Sequence, residues 1–170
     1  VFSKFRLEHN KKAAVEFWEN YIKVSENQSG LIVALLFAMW APLARLLAEK
    51  NMEQQGLRAL LYVSAPTGTG KTTLMKILVR AMLDVGVEDT LRFDDTIASL
   101  EEGILMRKDI PVLIDDFFAQ GNRNADDDFR KKANEIARIA GDGRVKGKMG
   151  PNRKPLPDRN FFGTLIATGE

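Results

Sequence analysis

The run Ala65-Pro66-Thr67-Gly68-Thr69-Gly70-Lys71-Thr72 constrains the fold of this chain more than any other stretch. Before it lies the short apolar segment 57–64 (LRALLYVS), which runs into a proline and two glycines and so reads as a buried strand entering a loop. After it, from about Thr72, Leu74, Ile77, Leu78, Ala81 and Met82 recur on one side of an expected helix that Gly86 closes. A strand, a glycine turn and a helix in that order form one unit of an α/β fold.

The turn matches the phosphate-loop pattern GxxxxGK[ST] at every position but the first, where Ala65 stands for glycine. The chemistry needs these residue types because amides of the turn and of the helix N-terminus must converge on phosphate oxygens. Gly68 and Gly70 leave the backbone free to turn sharply, Lys71 can reach the β and γ phosphates, and the Thr72 hydroxyl can hold magnesium. Pro66, Thr67, Thr69 and Thr73 complete the expected nucleotide-binding set, with ATP and Mg2+ as the implied ligands. If the first position required a positive φ, Ala65 would cost about 1 kcal/mol; at negative φ it would cost little.

The segment 111–114 (PVLI) reads as a second buried strand, and it delivers Asp115 and Asp116 at its carboxyl end, where open α/β sheets bind ligands. Asp115 is the second candidate metal ligand, and Asp116 the candidate to orient or deprotonate an attacking water. The bland alternative is an acidic pair capping the next segment. A third strand, 161–167 (FFGTLIA), ends at Thr168, a candidate sensor of the γ-phosphate or an ordinary strand-ending threonine; Glu170 is a second possible base.

Composition narrows the remaining choices. The 170 residues are 45% apolar and 28% charged, ordinary for one globular domain. With no cysteine and a single histidine, His9, thiolate chemistry and sulfur-bound zinc are excluded and any metal must sit on oxygen. The apolar run 31–44 is too short for a membrane span, which needs about 20 residues, and reads as a buried helix. No secretory leader is visible, which with the missing cysteines points to the cytoplasm and no membrane partner. The missing initiator methionine reads as a piece of a longer protein.

Other elements follow from periodicity. Helices are expected over 8–24, with Ala14, Trp18, Tyr21, Ile22 and Ser25 on one face, and over 31–50, where Pro42 is placed to bend the helix. A short strand near 91–93 precedes a helix over 96–107. A helix over 126–140 carries Phe129, Ala133, Ile136, Ala137 and Ala140 inward, and Asp126, Asp127 and Asp128 suit its N-terminal dipole better than a calcium loop. The expected architecture is a three-layer α/β phosphate-loop core with a mostly parallel sheet over 29–170, ending just past the sensor strand, behind an N-terminal helical extension over 1–28.

The formal net charge of +2 does not by itself announce a nucleic-acid binder. Positive charge gathers instead in the expected loop 141–160, which holds Arg144, Lys146, Lys148, Arg153, Lys154 and Arg159. Such a loop could track a DNA backbone, place an arginine in a neighbouring subunit's nucleotide site, or simply face water.

In the order of its motifs the chain resembles the helicase-like phosphate-loop ATPases of phages, plasmids and integrative elements grouped as domain of unknown function 927. The likeness runs over 31–170: an apolar helix with Ala41-Pro42-Leu43, the strand and loop, TIASLEE at 96–102, LIDD at 113–116, IAGDGRVKGK at 139–148 and LIATGE at 165–170. The loop wording and Asp116, where that family carries glutamate, are departures. The resemblance implies a RecA-like or AAA+-like core with the sensor strand between the phosphate-loop and acidic strands, and an ATP-driven DNA helicase or translocase working as a homo-oligomeric ring in mobile-element or phage replication. A small-molecule or nucleoside kinase, and a nucleotide-gated DNA-binding scaffold with little hydrolysis, remain open beside it.

Overall fold

The computed structural model describes residues 11–25, 29–49, 59–82, 90–107, 109–117, 123–147 and 159–170. Along the chain come α1 (Lys11–Ser25), α2 (Ser29–Glu49), β1 (Leu60–Ser64), α3 (Lys71–Arg80), β2 (Thr90–Arg92), α4 (Ile97–Met106), β3 (Val112–Phe117), α5 (Arg123–Asp142) and β4 (Leu165–Gly169). The strands form one sheet in the order β1-β4-β3-β2 with every strand pair parallel, so β4 lies between the strand that enters the glycine turn and the strand that carries the acidic pair.

Alternation along the two central strands sorts the helices into layers. Val112, Ile114 and Leu165 face a core completed by Leu100 and Ile104 of α4 and Ile136 and Ile139 of α5. Leu113 and Ile166, one residue out of phase, face a second core built from Met75, Leu78 and Val79 of α3, Ala34 and Ala38 of α2 and Tyr21 of α1. Because β3 and β4 are covered on both faces, their apolar residues run without a break, as parallel strands require. β1 differs from the expectation of a buried strand. It lies at the sheet's edge among the described residues, is only half-buried, and leaves Tyr62 exposed.

Several faces and ends shift from their sequence expectation. In α3 the buried residues are Met75, Leu78 and Val79, with Met82 buried just past its end, whereas Ile77 and Ala81 point outward; the helix stops at Arg80, capped by Ala81, and Gly86 lies outside the described residues. In α1 Tyr21 is buried but Ile22 is exposed, and in α5 Ile139 replaces the exposed Ala137 in the core. Such one-residue rotations turn a helix by about 100°, which a pattern of mixed apolar residues does not resolve. α5 also starts before its aspartates, with Asp126 in the first turn, and extends through Gly141 to Asp142. β4 begins only at Leu165, so 161–164 lead into it as coil and Thr168 stands inside the strand.

α2 departs most. The apolar run reads as buried all round, yet among the described side chains only Leu31 and the alanine stripe Ala34, Ala38, Ala41 and Ala44 are buried, while Ile32, Val33, Leu36, Met39, Leu43 and Leu46 are exposed. Small side chains at a helical spacing let α2 approach the α3 layer closely, and Pro42 sits within the helix without ending it. Among the described residues no helix is long and apolar enough to cross a membrane.

The face that α2 buries can be checked by paired substitutions. Ala38→Leu should destabilise by about 1–3 kcal/mol through overpacking. Leu36→Gln, on the exposed side, should stay within about 0.5 kcal/mol of the parent in urea melts despite the larger change of chemistry.

Candidate functional site

The residues after β1 form a tight turn. Gly68 and Gly70 take φ of 84° and 77°, left-handed values that explain why glycine stands at both positions, and Gly70 caps the N-terminus of α3. Pro66 accepts hydrogen bonds at its carbonyl from the Thr69 amide (3.4 Å) and hydroxyl (2.9 Å). Ala65 is not among the residues with positive φ, so the departure from glycine at the first motif position carries no backbone strain.

Facing the turn across the sheet, β3 is irregular where its acidic pair sits. Ile114 pairs with Ala167 and Phe117 with Gly169, so three steps along β3 match two along β4, and the extra residue falls at Asp115-Asp116. Asp116 has φ of 61°, the one non-glycine residue with positive φ among those described. A bulge of this kind re-aims side chains that a regular strand would send to opposite faces, and aspartate is among the residues that tolerate the left-handed region best.

The bulge directs Asp115 toward the loop. Its Oδ1 accepts the Thr72 hydroxyl at 2.9 Å and also the Thr168 hydroxyl from β4. One carboxylate oxygen therefore joins α3, β3 and β4. Thr168, expected to face a γ-phosphate, is fully buried and spends its hydroxyl on orienting Asp115. Asp116, expected to aim at a water, is exposed and lies 3.7 Å from Arg92 Nη2 at the end of β2; Arg92 Nε also meets Asp94 at 3.4 Å.

These groups surround an open cavity of about 760 Å³. Of the residues singled out in the sequence, Thr67, Gly68, Gly70, Lys71, Thr72, Thr73, Asp115, Asp116 and Thr168 line it, while Pro66 and Thr69 shape the turn outside the wall. Sequence reasoning misses Arg92, Asp94 and Gly169 and leaves Glu170 a bare possibility, yet all four line the cavity too. Position alone carries the missing signal: all four sit at or just past a strand's carboxyl end, the edge where parallel sheets build sites.

Among the described residues no group of three or more His, Asp or Glu side chains could hold a metal by itself. Thr72 and Asp115 supply two hard oxygen donors side by side, a set that suits magnesium carried in with phosphate oxygens and water.

The described ends of the basic segment are tied to the fold. Its base is pinned, with Arg144 bridging Asn160, the Val145 amide donating to the Arg159 carbonyl at 2.9 Å and the Phe161 amide to the Gly143 carbonyl at 2.8 Å. Lys146 pairs with Glu135 at 3.1 Å, and Arg159 with Glu102 at 2.9 Å. Hydrogen bonds from Arg138 and Lys146 hold the Glu135 carboxyl below its ordinary range. Lys148, Arg153 and Lys154 lie outside the described residues. Arg144 bridges Asn160 ahead of the amino end of β4, whereas the cavity lies at that strand's carboxyl end, so Arg144 sits toward the opposite edge of the sheet.

No protein-family model matches the chain, the family that the sequence resembles included. No curated protein matches it by sequence. Among solved structures, the fold is similar to that of the SCCmec type IV Cch protein, described as an active helicase, with a TM-score of 0.61 and 18% identity. The match covers 100% of this chain but 28% of that one, so the chain spans less than a third of the helicase's length. At this identity the likeness shows a shared fold: a mixed α/β unit of the kind found in a helicase.

The clamped strand end gives a test of the site's construction. A Cβ on Gly169 would collide with the Phe117 carbonyl and the Tyr62 hydroxyl, whereas one on Gly141 meets open space. Gly169→Ala should therefore cost about 1–3 kcal/mol, and Gly141→Ala should be neutral or stabilising by up to about 1 kcal/mol, both read from thermal melts.

Proposed function

We propose that this chain is the ATP-binding and ATP-hydrolysing core of a DNA helicase or translocase. The observation that carries the reading is the meeting of Thr72 and Thr168 on Asp115 Oδ1 beside Lys71, at the rim of a cavity large enough for a nucleotide. Turn amides and Lys71 would bind and orient the β and γ phosphates, and Thr72 and Asp115 would hold Mg2+. Magnesium supplies charge neutralisation on the phosphate oxygens. Asp116, released from Arg92, would orient the attacking water.

Motor work on DNA is supported by the fold shared with a segment of an active helicase and by the basic segment 144–154. In a homo-oligomeric ring that segment would meet DNA or a neighbouring subunit. The Arg92–Asp116 pair supports a second reading, a nucleotide-gated scaffold that binds ATP and hydrolyses it little, because it engages the carboxylate that a base needs free.

Lys71→Ala should abolish ATP binding in a calorimetric titration; unchanged affinity would refute the nucleotide site. Asp116→Asn should keep binding and lower turnover by about 100-fold or more, and retained turnover would move the base elsewhere. Replacing Arg144, Lys146 and Lys148 by alanine should flatten the log–log salt dependence of DNA affinity by about one for each phosphate that is no longer neutralised. An identical slope would remove that segment from the DNA interface.

A further inference from the structure

We propose that Glu170 is the resident counter-ion of the loop's anion seat, an affinity-determining residue that an incoming phosphate must displace; this rests on the nucleotide reading above. Glu170 Oε1 accepts the Thr67 hydroxyl and lies 3.9 Å from Lys71 Nζ. One carboxylate oxygen thus takes both the hydroxyl and the ammonium that a phosphate oxygen would take.

Charge and burial make the arrangement consistent. The Lys71 side chain is only 13% exposed, so its ammonium gains from a nearby anion, whereas Glu170, at 41%, can return its carboxylate to water at small cost. The cavity's other carboxylates are engaged elsewhere: Asp115 with Thr72 and Thr168, Asp116 and Asp94 with Arg92. A phosphate and Glu170 cannot share the seat, since like charges in van der Waals range repel.

The backbone beneath Glu170 is fixed, which determines how the seat opens. The Tyr62 hydroxyl donates to the Glu170 carbonyl at 3.0 Å, the Ala65 amide donates to the Gly169 carbonyl at 3.4 Å, and Gly169 is pressed against Phe117. Displacing the carboxylate is therefore a rotation of the Glu170 side chain and not a movement of its backbone. Nucleotide affinity is then lowered by the fraction of molecules in which it has turned away.

The test is calorimetric titration of the full chain with ATP and with pyrophosphate, both with magnesium, comparing the parent, Glu170→Gln and Lys71→Ala. Glutamine keeps an acceptor for Thr67 and removes the charge, so Glu170→Gln should bind both ligands about tenfold tighter, as expected if the seat is open about a tenth of the time. Should that variant not fold, judged by its circular dichroism melt, Glu170→Asp tests the same interaction: it keeps the charge, falls short of Lys71, and should also tighten binding. Equal or weaker binding by the folded variant, with parent binding that still requires Lys71, overturns the role of Glu170 and leaves the nucleotide site standing. No binding of either ligand by parent or variant overturns both.

Discussion

The hydrogen bonds on Asp115 Oδ1 organise the rest of this structure. Thr72 lies in the first turn of α3, Thr168 in β4 and Asp115 at the bulge of β3, and their side chains meet only if the three elements hold one register. A carboxylate accepting hydroxyls in a partly buried place is costly to leave unpaired, so the pairing specifies the alignment of the strands as well as the direction of the carboxylate. The β1-β4-β3 order makes this possible by setting the strand with Thr168 between the strand that enters the turn and the strand that ends in aspartates.

Departures from regular backbone concentrate at this edge of the sheet. Gly68 and Gly70 are left-handed in the turn, Asp116 is left-handed in the bulge, and Gly169 is pressed against Phe117. Among the described residues Asp116 alone takes the left-handed region with a side chain, and such a residue persists where the surroundings over-determine it. Here two fully buried cores, one on each face of the sheet, supply that support. The opposite edge has fewer such features, Gly143 at φ of 62° and Gly163 close to the Ile110 carbonyl, beside a short antiparallel bridge at Arg144 and Asn160 and ion pairs that tie Lys146 and Arg159 to acidic helix residues.

Much of the fold is legible in the chain. Buried parallel strands show as unbroken apolar runs, and the turn's glycines show as glycines, because left-handed backbone excludes most other residues. The faces of α2 and α3 are not legible. α2 is apolar nearly all round, so periodicity cannot say that its alanine stripe, rather than most of its larger side chains, is buried; the close approach of α3 selects the small residues. β1 reads as apolar, yet no described strand pairs with its other edge.

Local sequence determined the parts of the site: a turn with two glycines, a lysine and a threonine at a helix start, and an acidic pair after an apolar strand. Each is a consequence of what a few neighbouring residues can do with their own backbone. Tertiary structure decided which of these parts touch. The extra residue at Asp115-Asp116, the hydroxyl of Thr168 turned to Asp115, and the places of Arg92 and Glu170 at the cavity all depend on how β2, β3 and β4 align. That alignment is set by packing between residues distant in the chain, and no local pattern encodes it.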